Sequence, residues 1–363
     1  MTTTEVTPTH ASLPLTGPRL PQWAPALVGL LAVCAAGLLA MLLGWGIVAF
    51  AFLAALLFVV ALPLWSVSVE GSRGAVDRLT TSLIWVAFAG AAIPLLWLIW
   101  TVLSKGLPAI NAAFLTYDMR NVVGDDQGGI YHAIMGTLII TGIAALISVP
   151  IGLFCAIYLV EYGKGTRLAR WITFLVDVMT GIPSIVAGLF ALALFVLIFG
   201  PQIRFGFGGS VALSLLMIPV VVRSTEEMLR LVPDDLREAS YALGVPKWRT
   251  ITKVVLPTSL GGIITGVMLA VARVIGETAP LLVIAGKTDS VNLNPFSERM
   301  TTLPVYIYYS VTQPGTVPFD APPGAEAPGI ERAWGAALVL IVIVMALNLI
   351  ARLVGRIFAV KKG

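Results

Sequence analysis

Two ionisable side chains, Arg273 and Glu277, stand four residues apart in a stretch from 258 to 285 that carries no other charge. If that stretch is one helix, the spacing puts both on one face. Ionisable groups inside long apolar segments are costly to keep and mark functional positions. Arginine presents a planar donor fork that matches the oxygens of an oxyanion. A neighbouring carboxylate would repel such an anion, so Glu277 suits a holding role, pairing with Arg273 when no anion passes. The alternative is an ion pair that only neutralises two buried charges. Asp177, also within an apolar stretch, suits a structural pair with Arg223 or Arg170.

A second group of residues suits mechanical work. The run from Val232 to Pro257 is polar and basic between two apolar stretches. It reads as two short helices joined at Gly244, which suits a left-handed C′ position. Asp234 or Asp235 can cap the first helix, and Pro246 suits the first turn of the second. Pro257 then marks the start of the next apolar segment. Asp235 and Glu238 also have the spacing of an acidic capping box. Leu236, Ala239 and Leu243 give the first helix an apolar face, which needs a partner to cover it.

Other chemistry is excluded. Gly286-Lys287-Thr288 has the last residues of a phosphate-cradling P-loop, but Leu281 stands where its first glycine belongs. The chain therefore shows no means of hydrolysing ATP. His10 and His132 lie far apart in the sequence, and Cys34 and Cys155 sit in apolar runs, so neither a metal site nor a disulfide framework is expected.

The elements that hold these residues are membrane spans. Of 363 residues, 58% are hydrophobic and 12% charged, against about 25% charged in soluble domains. No charge falls between Arg19 and Glu70 or between Arg78 and Lys105. Residues 1–23, rich in Thr and Pro, read as a disordered cytoplasmic tail. The apolar run after it is too long for a signal peptide. Residues 24–68 divide near Gly44-Trp45-Gly46 into two spans. Further spans are expected at 79–103, 134–159, 171–199, 209–224, 258–285 and 334–355. The fold class is thus all-α, a polytopic bundle of eight transmembrane helices, because spans in lipid must satisfy their own backbone. Gly181, Pro183 and Gly188 are expected to break or loosen the span at 171–199, although helix packing alone can also explain the glycines. Leu303–Tyr309, in the long segment 286–333, reads as an interfacial turn with aromatic anchors.

With both termini in the cytoplasm, sixteen Lys and Arg residues fall on inside segments, six fall outside, and only Arg273 lies in a span. That split obeys the positive-inside rule. It also accounts for the net charge of +4 without a nucleic-acid partner.

The basic loop resembles the EAA loop of ABC import permeases. That pattern is Glu-Ala-Ala, three residues, Gly, nine residues, Ile, one residue, Leu-Pro. Here Glu238, Ala239, Ser240, Gly244, Val254, Leu256 and Pro257 fall at every step, with Ser240 for Ala and Val254 for Ile. Gly128–Thr137, Pro150–Tyr162, Gly181–Gly188 and Ala272–Leu281 are similar to the A-type subunit of phosphate-specific permeases. The Thr278-Ala-Pro run after Gly276-Glu277 is the A-type feature. The resemblance covers about residue 78 to the C-terminus.

The resemblance implies a six-span permease core at 78–356, with a two-helix extension at 24–68 whose role is open. It implies a coupling loop at 226–257 and a periplasmic loop at 286–333. It also implies a bacterial inner-membrane complex with a paralogous C-type permease subunit, two ATPase subunits that use ATP and Mg, and a periplasmic phosphate-binding protein. This chain would bind no cofactor itself. Arg273, Glu277 and Thr278 would line the phosphate pathway. Three other readings remain at this point: a permease for sulfate or molybdate, a secondary transporter driven by an ion gradient, and a non-transporting membrane scaffold or sensor subunit.

Overall fold

The computed structural model describes residues 19–123, 126, 128–317, 319 and 324–358. Most of the expected tail, together with His10, Asp125, Pro318, Pro322, Pro323, Lys361 and Lys362, lies outside the described residues. Among the described residues the secondary structure is helical throughout. The chain divides into two compact units, residues 1–100 and 101–363.

In the first unit, α1 (Ala24–Leu43) ends at Gly44 with φ 65°, at the expected division. Its buried residues are Ala24, Val28, Ala32, Ala36 and Ala40, a small-residue stripe repeating every four positions. A Cβ at Gly29 or Gly37 would lie 3.8 or 3.7 Å from Phe58 or Phe50, so this stripe packs on the start of α2. Helix α2 (Ile47–Gly106) runs on into the second unit. It is broken at Gly71, where φ is 77° and ψ −178°. Glu70 pins that break. Its carboxylate accepts from Ser66 Oγ at 2.6 Å, Arg78 Nε at 3.1 Å, Arg78 Nη2 at 3.0 Å and the Leu20 amide at 2.8 Å.

In the second unit, α3 (Ala112–Thr116) is capped by the Asn111 side chain, which accepts from the Phe114 amide. It leads to α4 (Tyr131–Ile157), which continues through a π-turn at Tyr158–Tyr162. The buried face of α4 carries Ala133, Gly136, Ile140, Ala144, Ser148, Gly152 and Ala156, spaced three or four apart. Small residues let backbones approach closely where no hydrophobic force separates helix from lipid. The tightest approaches are Gly136 against the Thr301 carbonyl and Gly152 against Val221. Helix α7 (Gly206–Arg230) fills the centre beside α4, with Leu213, Met217, Val221 and Leu229 fully enclosed. The sequence marked only 209–224 here, as the shortest span. The full helix is longer and is the most buried of the candidate spans. Its glycines, serines and charges lower its apolarity because it faces protein.

The span at 171–199 is broken near Gly181 and Pro183, as expected: α5 (Arg167–Thr180) and α6 (Ser184–Phe199) meet at 108°. Pro183, which lacks an amide donor, starts α6 and forces Ile182 out of helical backbone. Three other expectations need correction, the first at Gly188. Gly188 lies inside α6, where it packs against Pro280 and does not break the helix. Second, α10 (Leu256–Val274) stops eleven residues short of the expected end, and α11 (Ala279–Ile284) follows after a turn. Pro280 cannot donate to the Gly276 carbonyl, so the ladder fails there. Third, Leu303–Tyr309 belongs to α12 (Leu303–Thr312), whose first turn is buried against Ile130, Ala133 and Ala336 and is no interfacial turn. The last helix is α13 (Pro328–Phe358). Among the described residues, six helices are long and apolar enough to cross a membrane, or seven with α5–α6 as one broken span. The expected eight is reached only if α2 counts as two on either side of Gly71.

A Cβ added at Gly188 would sit 2.5 Å from Pro280 Cα, whereas one at Gly181 would meet only the Val178 carbonyl at 3.5 Å. Gly188→Ala is therefore expected to destabilise the chain by about 1–3 kcal/mol, and Gly181→Ala by far less. Thermal unfolding of the purified complex checks this. Equal melting of the two variants would contradict the assignment.

Candidate coupling and translocation site

The loop after α7 folds as its sequence suggests, with two differences. Helix α8 (Asp234–Ala242) ends before Gly244, which takes φ 74°. A short helix, α9 (Lys247–Thr250), begins after Pro246. The Gly244 amide donates to the Tyr241 carbonyl and the Val245 amide to the Ser240 carbonyl. The N-cap of α8 is Pro233, not an aspartate. Asp234 instead accepts from Arg237 Nη1 at 3.1 Å, one turn on. Pro257 falls in the first turn of α10, but the helix does not begin afresh there: α9 runs through a π-turn at Ile251–Val255 into α10, giving 28 continuous residues. The π-turn supplies the irregular bonding that a proline requires one turn later.

One arginine fastens this loop to the bundle. Arg237 donates through Nε and Nη2 to Glu161 Oε1 at 3.0 and 2.9 Å. It also donates to the carbonyls of Val232 at 2.7 Å and Leu229 at 2.9 Å. The Arg237 and Glu161 side chains are only 9% and 4% exposed. The guanidinium thus satisfies the orphan carbonyls at the end of α7 and the carboxylate at the end of α4 together. Lys247 strengthens the same seam. Its ammonium donates to the Glu161 carbonyl and lies 4.9 Å from the Tyr162 ring centre. Ser240 and Thr250 hydroxyls meet at 2.9 Å in a buried contact, tying α8 to α9. That contact explains why a hydroxyl is well placed where the EAA pattern has its second alanine.

The opposite side of the loop is uncovered. Leu243 is 84% exposed and Trp248 57%, with Glu238, Ala239, Leu236 and Tyr241 also exposed. Val254, Leu256 and Pro257 are half-buried where the helix enters the bundle. Near the C-terminal end of α7, Arg223 bridges Asp177 on α5 and Glu226 Oε2, the latter at 2.8 Å. Glu226 is buried and also holds Arg230. The expected Asp177–Arg223 pair is therefore present and is structural.

Arg273 and Glu277 do not share a helix face. Arg273 is exposed in the last turn of α10, while Glu277 lies half-buried in the turn before α11. Its amide donates to the Val274 carbonyl at 3.1 Å. Among the described residues the two side chains form no ion pair. Thr278 is the N-cap residue of α11, without a side-chain cap bond. The two charges thus flank a helix break inside an apolar segment. Non-helical backbone at such depth is tolerated where it is enclosed by protein or lines a cavity. Sequence reasoning missed Glu161, Arg237 and Glu226. Their signal was a charge at the end of an apolar run and a basic residue among apolar neighbours, but their partners lie up to 76 residues away.

The family model described as "binding-protein-dependent transport system inner membrane component" matches residues 148–362. The chain belongs to this family. The match takes in the Arg237 seam, the loop and the α10–α11 break. Relatives agree with it. The chain is 48% identical over 280 residues to the phosphate transport system permease protein PstA 1 of Mycobacterium tuberculosis, covering 77% of this chain and 88% of the relative. It is 46% identical to the corresponding Mycobacterium leprae protein over 275 residues (75% and 86%). With the Yersinia pestis protein it is 38% identical over 269 residues (74% and 85%). The fold matches the inward-facing MetNI methionine ABC transporter at TM-score 0.51 and 20% identity, covering 63% of this chain and 95% of that one. It matches a bacterial alginate ABC transporter at TM-score 0.51 and 15% identity, covering 77% and 96%. Our inner membrane component is thus a multi-pass permease of the ABC importer fold.

In this permease, removing one partner of the buried seam leaves the other charge uncompensated. Arg237→Ala is expected to cost about 3–5 kcal/mol. Arg237→Met combined with Glu161→Gln should recover part of that loss. Thermal unfolding of the purified complex measures both. A single variant as stable as the parent would show that the seam carries little of the fold.

Proposed function

We propose that this chain is the transmembrane permease subunit of an ATP-driven phosphate importer. The observation that carries the reading is 48% identity to a protein named as a phosphate transport permease, over 88% of that protein's length. In this proposal a paralogous C-type subunit completes the pathway, and two separate ATPase subunits hydrolyse ATP with Mg. A periplasmic phosphate-binding protein delivers the anion. The chain does no catalysis of its own. Both termini face the cytoplasm, as the distribution of Lys and Arg supports. Residues 24–68 form an extension to a permease core at 78–356.

The mechanism follows from two features. Glu238, Ala239, Ser240, Gly244, Val254, Leu256 and Pro257 belong to the lever, with Leu243 and Trp248 offering apolar surface to an ATPase cleft. Because Arg237 ties the lever to the ends of α4 and α7, a push on α8 reaches both helices. At the other feature, Arg273 contributes a guanidinium beside the α10–α11 break, where phosphate oxygens can replace water. Glu277 and Thr278 line the same break, and Glu277 retains Arg273 when the path is closed. Gly181 and Pro183 allow the bend between α5 and α6, and Gly188 lets α6 approach α11.

Two outcomes test this. In reconstituted vesicles with all partner subunits, Arg273→Gln should lower labelled phosphate uptake about ten- to a hundredfold, the scale of one charge-assisted contact, with assembly intact. Uptake equal to the parent would remove Arg273 from the pathway. Leu243→Glu should release the ATPase subunits during purification. Retention of the ATPase at parental stoichiometry would show that the lever binds it elsewhere.

A further inference from the structure

A cavity of about 150 Å³ lies at the end of the second unit where α4 and α13 begin, away from the Arg237 seam at the end of α4. Its walls include Lys287, Asp289, Tyr306, Tyr309, Ser310 and Arg332. Lys287 is the residue that the P-loop comparison left without a role. Its ammonium lies 3.3 Å from Asp289 Oδ1 and 5.4 Å from the Tyr309 ring centre. Arg332, in the first turns of α13, donates to the Asp126 carbonyl at 3.0 Å. The positions are built. The Asp289 carbonyl accepts from the Met119 amide at 3.0 Å, and the Gly329 amide closes on the Pro314 carbonyl at 3.0 Å.

One polar atom in the wall points to a missing occupant. The Tyr306 side chain is 2% exposed, and its hydroxyl makes no hydrogen bond among the described residues. Burial pushes the Tyr306 phenol above its ordinary range, and Ser310, one turn on, lies outside hydrogen-bonding geometry. A buried hydroxyl left unpaired is costly, so such groups usually meet a ligand or water. Behind it His132 packs edge to face at 5.7 Å, so the ring cannot swing away.

We propose that this cavity is a second oxyanion site, which holds phosphate between Lys287 and Arg332 at the end of the permease opposite the coupling loop. The inference rests on the phosphate-importer reading and adds to it a station before the α10–α11 break. The charge set also selects the ligand. Two cations attract an oxyanion, while ionised Asp289 can only accept a hydrogen bond. Phosphate near neutral pH keeps at least one proton to donate to it. Sulfate has none and meets bare repulsion. Asp289 is therefore a specificity residue, and Tyr306 donates to an oxygen of the bound anion.

The test uses the full complex in nanodiscs, without binding protein or nucleotide. Phosphorus NMR line broadening of inorganic phosphate reads occupancy. The parent should broaden the line, and sulfate should not compete. Lys287→Gln should weaken apparent affinity about tenfold, the worth of one charge-assisted bond, and Lys287→Arg should keep it. The loss caused by Lys287→Gln should persist in an Arg273→Gln background, which separates this cavity from the interior arginine. Asp289→Asn should let sulfate compete. Equal broadening in the parent and Lys287→Gln would overturn the site, as would sulfate competition that Asp289→Asn does not alter. Absence of broadening in a complex that imports phosphate would also overturn it while leaving the importer reading standing. Failure of the parent to import phosphate at all would strike the importer reading itself.

Discussion

The buried contact between Arg237 and Glu161 is the interaction on which the rest of the structure depends. A surface helix pair of nine and four residues is too short to hold its own shape in water. Here it borrows rigidity from the bundle. Arg237 places two donors on a carboxylate at the end of α4 and two on carbonyls at the end of α7. Without it the Glu161 carboxylate would be a buried charge with no cation, and the Leu229 carbonyl would keep only a long bond from the Val232 amide at 3.4 Å. The same side chain therefore completes the fold and turns a loop into a lever. With its polar side committed inward, the loop leaves Leu243 and Trp248 outside, the surface that the proposed function gives to an ATPase subunit.

The bundle that receives the push is arranged for close contact. Helices α4 and α7 meet through glycines, alanines and serines, so little side-chain volume separates their backbones. Displacement at one end has few soft contacts in which to dissipate. Two breaks lie beside this stiff pair, α5–α6 at Pro183 and α10–α11 at Pro280; in the first unit α2 breaks at Gly71. Two of the three interruptions are proline-driven, and one of them sits beside Arg273 and Glu277. Stiff helices in the middle and jointed ones around them suit a subunit that converts a push at one end into an opening elsewhere.

Much of this was legible in the sequence. Gly244 takes the left-handed turn that its place between two short helices demanded. Asp177 pairs with Arg223, as two opposite charges at the inner ends of neighbouring spans should. The division at Gly44 and the bend near Pro183 follow from local backbone chemistry. What was not legible is non-local or hidden in uniform composition. The run from 258 to 285 is apolar apart from Arg273 and Glu277, so hydropathy passes over the end of α10, and only Pro280 betrays it. The Arg237 seam joins residues far apart in sequence, and nothing near either position names its partner. Helix α12 was mistaken for an interfacial turn because its aromatics resemble membrane anchors, when its first turn packs inside the protein. In the candidate site, residue types were readable but their mutual geometry was not.

The central claim is that the loop moves as one body with α4. The direct measurement is the distance between spin labels at Asp235 and Leu146, both exposed, in the full complex with Cys34 and Cys155 replaced. Comparison of nucleotide-free and ATP-trapped states decides the matter. The account predicts one distance, the same in both. A distance that changes on trapping would mean that the loop hinges freely, and the lever would be disproved.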